Sequence, residues 1–283
     1  MRMRRVSLLI AFVSAIFSSH SQIPLFKVEI PDSVLRESVR KNSSITISSA
    51  NGKSTIQPYE YSDCRSLREV EIEEGITNIG EYAFLGCSSL ERITLPASLQ
   101  EIGEGAFRDC TSLQSLVIPE GVKKIPAYMC AWDSTLVSVE LPQSVEDIER
   151  NAFAYCVNLE SINFPKNLKH IGSNAFSFCE SLTEVELPDT IEELESYAFS
   201  GCLKLQKATL PSNSNLLGEL IFTGSENLRE IICMSSVPPP FDCNSPLFDP
   251  LETSLWEQCR LVVPRENLKD YLSTPGWHFF KIY

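Results

Sequence analysis

The sequence predicts an α/β-type repeat solenoid, a curved arc with short parallel strands on its concave face and a cap at either end. Three observations predict it: a 23-residue self-similarity runs without insertion from residue 56 to about 233, a Leu holds the same place in every unit, and a Pro closes the strand in most units. A fixed period of this length decides the architecture before secondary structure is considered, because one unit cannot cover its own apolar face and must stack on its neighbours.

The period is visible in Ile79-Gly80-Glu81-Tyr82-Ala83-Phe84, which returns as Ile102-Gly103-Glu104-Gly105-Ala106-Phe107. Units begin at Ile56, Ile79, Ile102, Ile125, Ile148, Ile171, Leu194 and Leu217, the last one partial. The twelfth position is always Leu: Leu67, Leu90, Leu113, Leu136, Leu159, Leu182, Leu205 and Leu228. Positions 15 and 17 are apolar, from Val70 and Ile72 to Ile231 and Cys233, so they share one face of a short strand while positions 14 and 16 face the other way. Pro96, Pro119, Pro142, Pro165, Pro188 and Pro211 follow directly; lacking an N–H, each ends its strand. The Ile-Gly-x-x-Ala-Phe stretch turns the chain back, with Ala leaving room and Phe filling the interior. Eight strands at about 4.8 Å spacing make an arc of roughly 34 Å.

The repeated Leu-x-x-Ile-x-Leu-Pro-x-x-Leu-x-x-Ile-Gly-x-x-Ala-Phe-x-x-Cys pattern resembles the BspA-like, Treponema-type class of bacterial leucine-rich repeats. It covers about 178 of the 283 residues. The tail Leu261-Val262-Val263-Pro264, with Tyr271, Gly276-Trp277 and Phe280, is similar to the closing segment common in that family. The resemblance implies a protein secreted or displayed by an anaerobic bacterium, and an adhesin for host matrix proteins or for other bacteria.

Residues 1–21 have the form of a secretory signal peptide: Arg2, Arg4 and Arg5 precede the apolar run Val6–Phe17, and Ser19-His20-Ser21 places the cut before Gln22. The run is too short to cross roughly 30 Å of hydrocarbon, and no membrane insertion is expected once it is removed. The cut removes three Arg and no acid, taking the formal net charge from −13 to −16. So acidic a chain is a poor partner for nucleic acid or anionic lipid. Residues 22–55, with Val28-Glu29-Ile30-Pro31 and the Ile45-Thr46-Ile47 strand, suit an N-terminal cap. Residues 234–283 suit a C-terminal cap: a strand Arg260–Val263, a short helix near Glu266–Leu272, and Phe241, Phe248, Trp256, Trp277, Phe279 and Phe280 to cover the last unit.

Cys64, Cys87, Cys110, Cys156, Cys179 and Cys202 all take position 9. Side chains in register on parallel rungs stay a rung apart, whereas a disulfide needs its Cβ atoms about 3.8 Å apart, so a buried thiol ladder with weak S–H donation to turn carbonyls is expected. A line of thiols does not converge on a metal. Cys243 and Cys259 in the cap are the candidate disulfide, with Cys233 as the other partner. The unit 125–147 breaks pattern with Pro126, Met129, Cys130, Trp132 and Asp133; either it is a functional indentation, or Met129 or Trp132 fills the missing Phe's volume.

No nucleophile elbow or phosphate loop is present, and His170 and His278 alone remain after cleavage. No cofactor is expected. A glycan-active enzyme is a remote alternative, since its two carboxylates at a set separation are not something a sequence displays. Binding is expected instead on the concave face, at Glu69, Glu71, Arg92, Glu140, Asn163, Glu184, Glu186, Lys207 and Glu230. That face is polar with acidic ends and suits a basic protein segment or a hydroxyl-rich glycan outside the cell, on host matrix or another bacterium. No aromatic anchor stands out on it. The alternative role is structural, as an envelope component that associates with its own kind.

Overall fold

A computed structural model of the chain describes residues 42–212, 216–240, 247, 257–275, 277 and 280. The signal segment, Val28–Pro31 and Cys243 lie outside them. The described residues belong to the unit Arg36–Tyr283.

Each repeat contributes two strands. The longer ladder runs through Ser44–Ile47, Glu69–Ile72, Arg92–Thr94, Ser115–Val117, Ser138–Glu140, Ser161–Ile162, Glu184–Glu186, Lys207–Leu210, Glu230–Cys233 and Arg260–Val262. The shorter ladder is built of two-residue strands from Thr55–Ile56 to Leu216–Leu217. All pairing is parallel, and inside the repeats partners stand one 23-residue unit apart, as Glu69 with Arg92 and Asp147 with His170. The strand Ser44–Ile47 stacks on Glu69–Ile72, and Arg260–Val262 stacks on Glu230–Ile232, so a rung from outside the regular repeat extends each end.

The class is the expected parallel-strand solenoid, refined in one respect: the return path of each unit is a string of turns, and α-helix among the described residues is confined to the segment after residue 256, chiefly Leu268–Ser273. These turns need left-handed backbone at positions 4 and 8, for example Tyr82 (φ 52°) and Asp109 (φ 60°). They hold the rungs together through bonds such as Phe84 N–H to Ala106 O (2.8 Å) and Phe153 N–H to Ala175 O (2.8 Å).

The interior consists of columns, one per repeat position. The eight position-12 Leu side chains are wholly buried. The rings of Tyr61, Phe84 and Phe107 stack, as do those of Phe153, Phe176, Phe199 and Phe222, with centroids 5.1–5.9 Å apart. Each such side chain contributes roughly 1.5–3 kcal/mol by burial. Cys130 interrupts the column, and the fully buried Met129 and Cys130 occupy the space. Trp132 does not; it lies at the surface, because its position-8 turn points outward.

The position-9 thiols are buried. Each Sγ–H donates to the carbonyl 26 residues earlier: Cys87 to Tyr61 (3.1 Å), Cys110 to Phe84 (3.3 Å), Cys156 to Cys130 (3.1 Å), Cys179 to Phe153 (3.2 Å) and Cys202 to Phe176 (3.4 Å). At the C-terminal end Tyr271, Trp277 and Phe280 are buried. The Tyr271 hydroxyl donates to Ser235 O (3.0 Å), and Trp277 Nε1–H donates to Pro239 O (2.9 Å). Cys233 and Cys259 are buried free thiols, while Cys243, the expected partner of Cys259, lies outside the described residues.

Candidate functional site

The 23-residue register collects positions 14 and 16 of every unit on the outward face of the longer ladder, so all nine candidate residues share one surface. Their electrostatics differ. The Arg92 guanidinium pairs with the Glu69 carboxylate on the preceding rung. At the other end Glu184, Lys207, Glu230 and Arg260 form a column of alternating charge, with Lys207 Nζ 2.9 Å from Glu184 and Arg260 4.0 Å from Glu230. Hydrogen bonding to Glu184 raises the Lys207 pKa, with Glu184, Glu230 and Glu186 adding to it through space. The exposed carboxylates of Glu71, Glu140 and Glu186 form no salt bridge among the described residues, although Glu186 feels Lys207 through space. Asn163 is exposed and bridges two rungs: its Oδ1 accepts from Leu141 N–H (3.0 Å) and its Nδ2–H donates to Leu141 O (2.8 Å). Between the charged ends lie Ser115, Ser138 and Ser161, with Val117 56% exposed.

A second surface was not foreseen. Trp132, Tyr155 and Phe178 take position 8 of three successive units, all in left-handed backbone (φ 68°, 63° and 59°). Bulky residues there cost of order 1 kcal/mol each. Their rings stack at 5.6 and 4.7 Å. The Arg108 guanidinium caps the stack, 4.5 Å over Trp132, and it shares Tyr128 with Arg150 from the neighbouring rung. At the far end a Cβ on Gly201 would fall 2.7 Å from the Phe178 ring, so glycine gives that ring its place. The signal was in the sequence, as three aromatics one period apart, but position 8 is variable elsewhere and the turn's direction is not written in it.

His170 carries the strongest polar cluster. Its Nδ1 lies 2.7 Å from Asp147 Oδ1 and its Nε2 2.8 Å from Glu195 Oε1, while Glu195 Oε2 accepts from Ser173 N–H (2.9 Å) and Oγ–H (2.5 Å). The Asp147 hydrogen bond, followed by that of Glu195, lifts the imidazole pKa to about 9 against the opposing effect of burial. Such a ring is a cation at neutral pH with both nitrogens committed, and the Ser173 hydroxyl faces a carboxylate. The cluster is an ionic clasp across three rungs; it has no free base beside a nucleophile. Among the described residues no three His, Cys, Asp or Glu side chains converge as metal ligands.

With two strands per 23-residue turn and a thiol column behind them, residues 28–160 and 146–238 match the family described as BspA type leucine rich repeat region, in six copies. The chain belongs to the BspA-type leucine-rich-repeat family. A T. pallidum leucine-rich repeat protein, TpLRR, is 28% identical over 66% of this chain and 78% of its own, with a TM-score of 0.50. A leucine-rich repeat protein from Bacteroides ovatus is 21% identical over 78% of this chain and 69% of its own, with a TM-score of 0.50, which is a likeness of fold alone. No curated protein matches the sequence. BspA-type solenoids are binding scaffolds, and the strand face is the surface that this chain's register builds most regularly.

Proposed function

We propose that this BspA-type protein is exported, loses residues 1–21, and acts at the cell surface or in the medium as a non-enzymatic, adhesin-like binding module for an extracellular protein. One observation carries the reading: a ladder face of uniform register presents the carboxylates of Glu71, Glu140 and Glu186 without salt bridges, beside paired charges that fix its flanks. Unpaired acids on a rigid surface favour a basic partner and speed its capture. Host matrix and the surfaces of other bacteria offer such segments, and hydroxyl-rich glycans fit the serine-lined middle.

The test is capture of matrix proteins and arrayed glycans by purified 22–283. Replacing Glu69, Glu71, Glu184 and Glu186 by Ser is expected to abolish capture, and retained binding removes the face from consideration. Self-association in sedimentation with no ligand bound favours a structural envelope role instead.

A further inference from the structure

Twelve of the sixteen core-facing side chains at positions 15 and 17 are at most 4% exposed. The other four, Ile93, Leu95, Ile162 and Phe164, are partly exposed. They form two pairs, and each pair sits on the rung just before a break in the longer ladder. Arg92–Thr94 does not pair with Ser115–Val117, nor Ser161–Ile162 with Glu184–Glu186, so the sheet falls into three. Where the next strand fails to close, the rung's open side is left uncovered. The two openings stand three rungs apart, roughly 14 Å. Between them the face presents Val117 and the cation-free Glu140, and Glu186 stands on the rung beyond the second opening.

We infer that this stretch seats an extended basic protein segment with apolar side chains at residues i and i+4 and Lys or Arg at i+2. An extended chain advances about 3.4 Å per residue and shows alternate side chains to one side, so residues four apart span about 14 Å. The apolar groups then rest on Val117 and reach the uncovered edge of the core-facing Leu95 at one opening and that of the core-facing Phe164 at the other, while the cation meets Glu140 on the outward face. A second cation at i+6 falls by Glu186. A neutral sugar fits less well, because Phe164 packs edge-on against Phe176 and Phe199 (5.5 and 6.2 Å) and offers no free flat ring face for stacking on this strip.

The inference rests on the protein-binding reading and narrows it. Fluorescence anisotropy with two labelled peptides of equal composition tests it, one carrying Leu-Ser-Lys-Ser-Leu-Ser-Lys and one with the Leu residues moved to three apart. The first is expected to bind about tenfold more tightly. Glu140→Lys should remove that preference, and a peptide with Glu in place of the central Lys should regain it on the variant. Equal binding of both peptides, or a preference that survives Glu140→Lys, overturns the inference. If that happens while matrix capture still depends on the acidic face, the seams fall and the binding face stands; if nothing is captured at all, the broader reading falls too.

Asp133 occupies position 9, where most neighbouring units hold Cys. It is fully buried; its Oδ1 accepts from Cys110 N–H at 2.7 Å, the Cys130 thiol lies in hydrogen-bonding reach of the carboxyl, and among the described residues its Oδ2 is the one buried side-chain oxygen or nitrogen with no well-aligned partner. Every neighbour of known geometry in this column donates to a carbonyl 26 residues back, and Ser225 does so too, through Oγ–H to Phe199 O at 3.1 Å. We propose that Asp133 is held as the neutral acid, its Oδ2–H donating to the Phe107 carbonyl that the register places there. The groups facing it are the thiols of Cys110, Cys130 and Cys156 and the carboxylate of Asp109, none of them a cation. Burial accordingly holds the carboxyl well above the usual range. The folded chain keeps a proton that the unfolded chain releases above about pH 4, so stability falls as pH rises from there.

Asp133→Asn supplies the same acceptor and a donor with no proton to lose. It is expected to melt above the wild type at about pH 8, with the gap closing toward about pH 5. Infrared difference spectra of wild type against Asp133→Asn should show a neutral carboxylic carbonyl at neutral pH. A carboxylate band alone, or a melting gap that ignores pH, overturns the proposal.

Discussion

Units 125–147 and 148–170 adjoin and follow the same path, yet they are stabilised differently. The second has Phe153 in the ring stack and Cys156 in the thiol column, as most of its neighbours do. The first has Cys130, Asp133 and Pro126 at these places and at the short ladder's turn. Pro126 brings a backbone consequence: where Gly80 N–H donates to Ile56 O and Gly103 N–H to Ile79 O (both 2.8 Å), proline has no hydrogen to give Ile102. The short ladder breaks there, between Glu101–Ile102 and Lys124–Ile125. The comparison teaches that the rungs hold by shared register and volume, so one unit can lose several signature residues and still stack.

Five substitutions would break or sharpen that contrast. Phe153→Ala should cost about 3–5 kcal/mol in denaturant unfolding, since it opens a cavity at the buried head of the ring stack, whereas Cys130→Ala should cost only about 1 kcal/mol. Equal losses would mean that the irregular unit is packed as tightly as its neighbour. His170→Ala should cost about 1–2 kcal/mol at neutral pH, discounted for partial exposure. Because the folded pKa is raised from 6.5 to about 9, the clasp's contribution is complete below the lower value and lost as pH rises through the upper one; melting curves against pH should show this in the wild type and not in the variant. Trp132→Ser should lose about 1 kcal/mol of stacking and cation–π energy, and a larger effect would show Trp132 to be part of the core after all. Arg68→Ser removes an exposed, solvent-screened pair with Glu91 and should leave the unfolding midpoint unchanged.

Much of this molecule is legible in its residues. Period, buried Leu column, thiol ladder and the closing strand and helix follow from spacing, because a side chain's position in the repeat fixes the side of the sheet it takes. What spacing does not encode is whether two adjacent strands come close enough to bond. Ile93 and Leu116 hold the same repeat position, and only the structure shows one open and the other covered. Asn163 stays exposed on the strand face, and spacing does not reveal that its amide also braces Leu141 on the preceding rung. Trp132 was assigned to the interior or to an indentation because its neighbours at position 8 carry no consistent chemistry.

The partition of the longer ladder also bears on what happens if the protein is pulled. Tension drawn from its ends runs across the rungs and is resisted by the bonds between strands. At the break after Ser161–Ile162 that resistance falls to the turns and the short ladder, and at the break after Arg92–Thr94, where the short ladder is interrupted too, to the turns alone. Under load the chain should therefore yield in blocks, Ser44–Thr94, Ser115–Ile162 and Glu184–Val262, and extend by steps of three or four rungs rather than all at once.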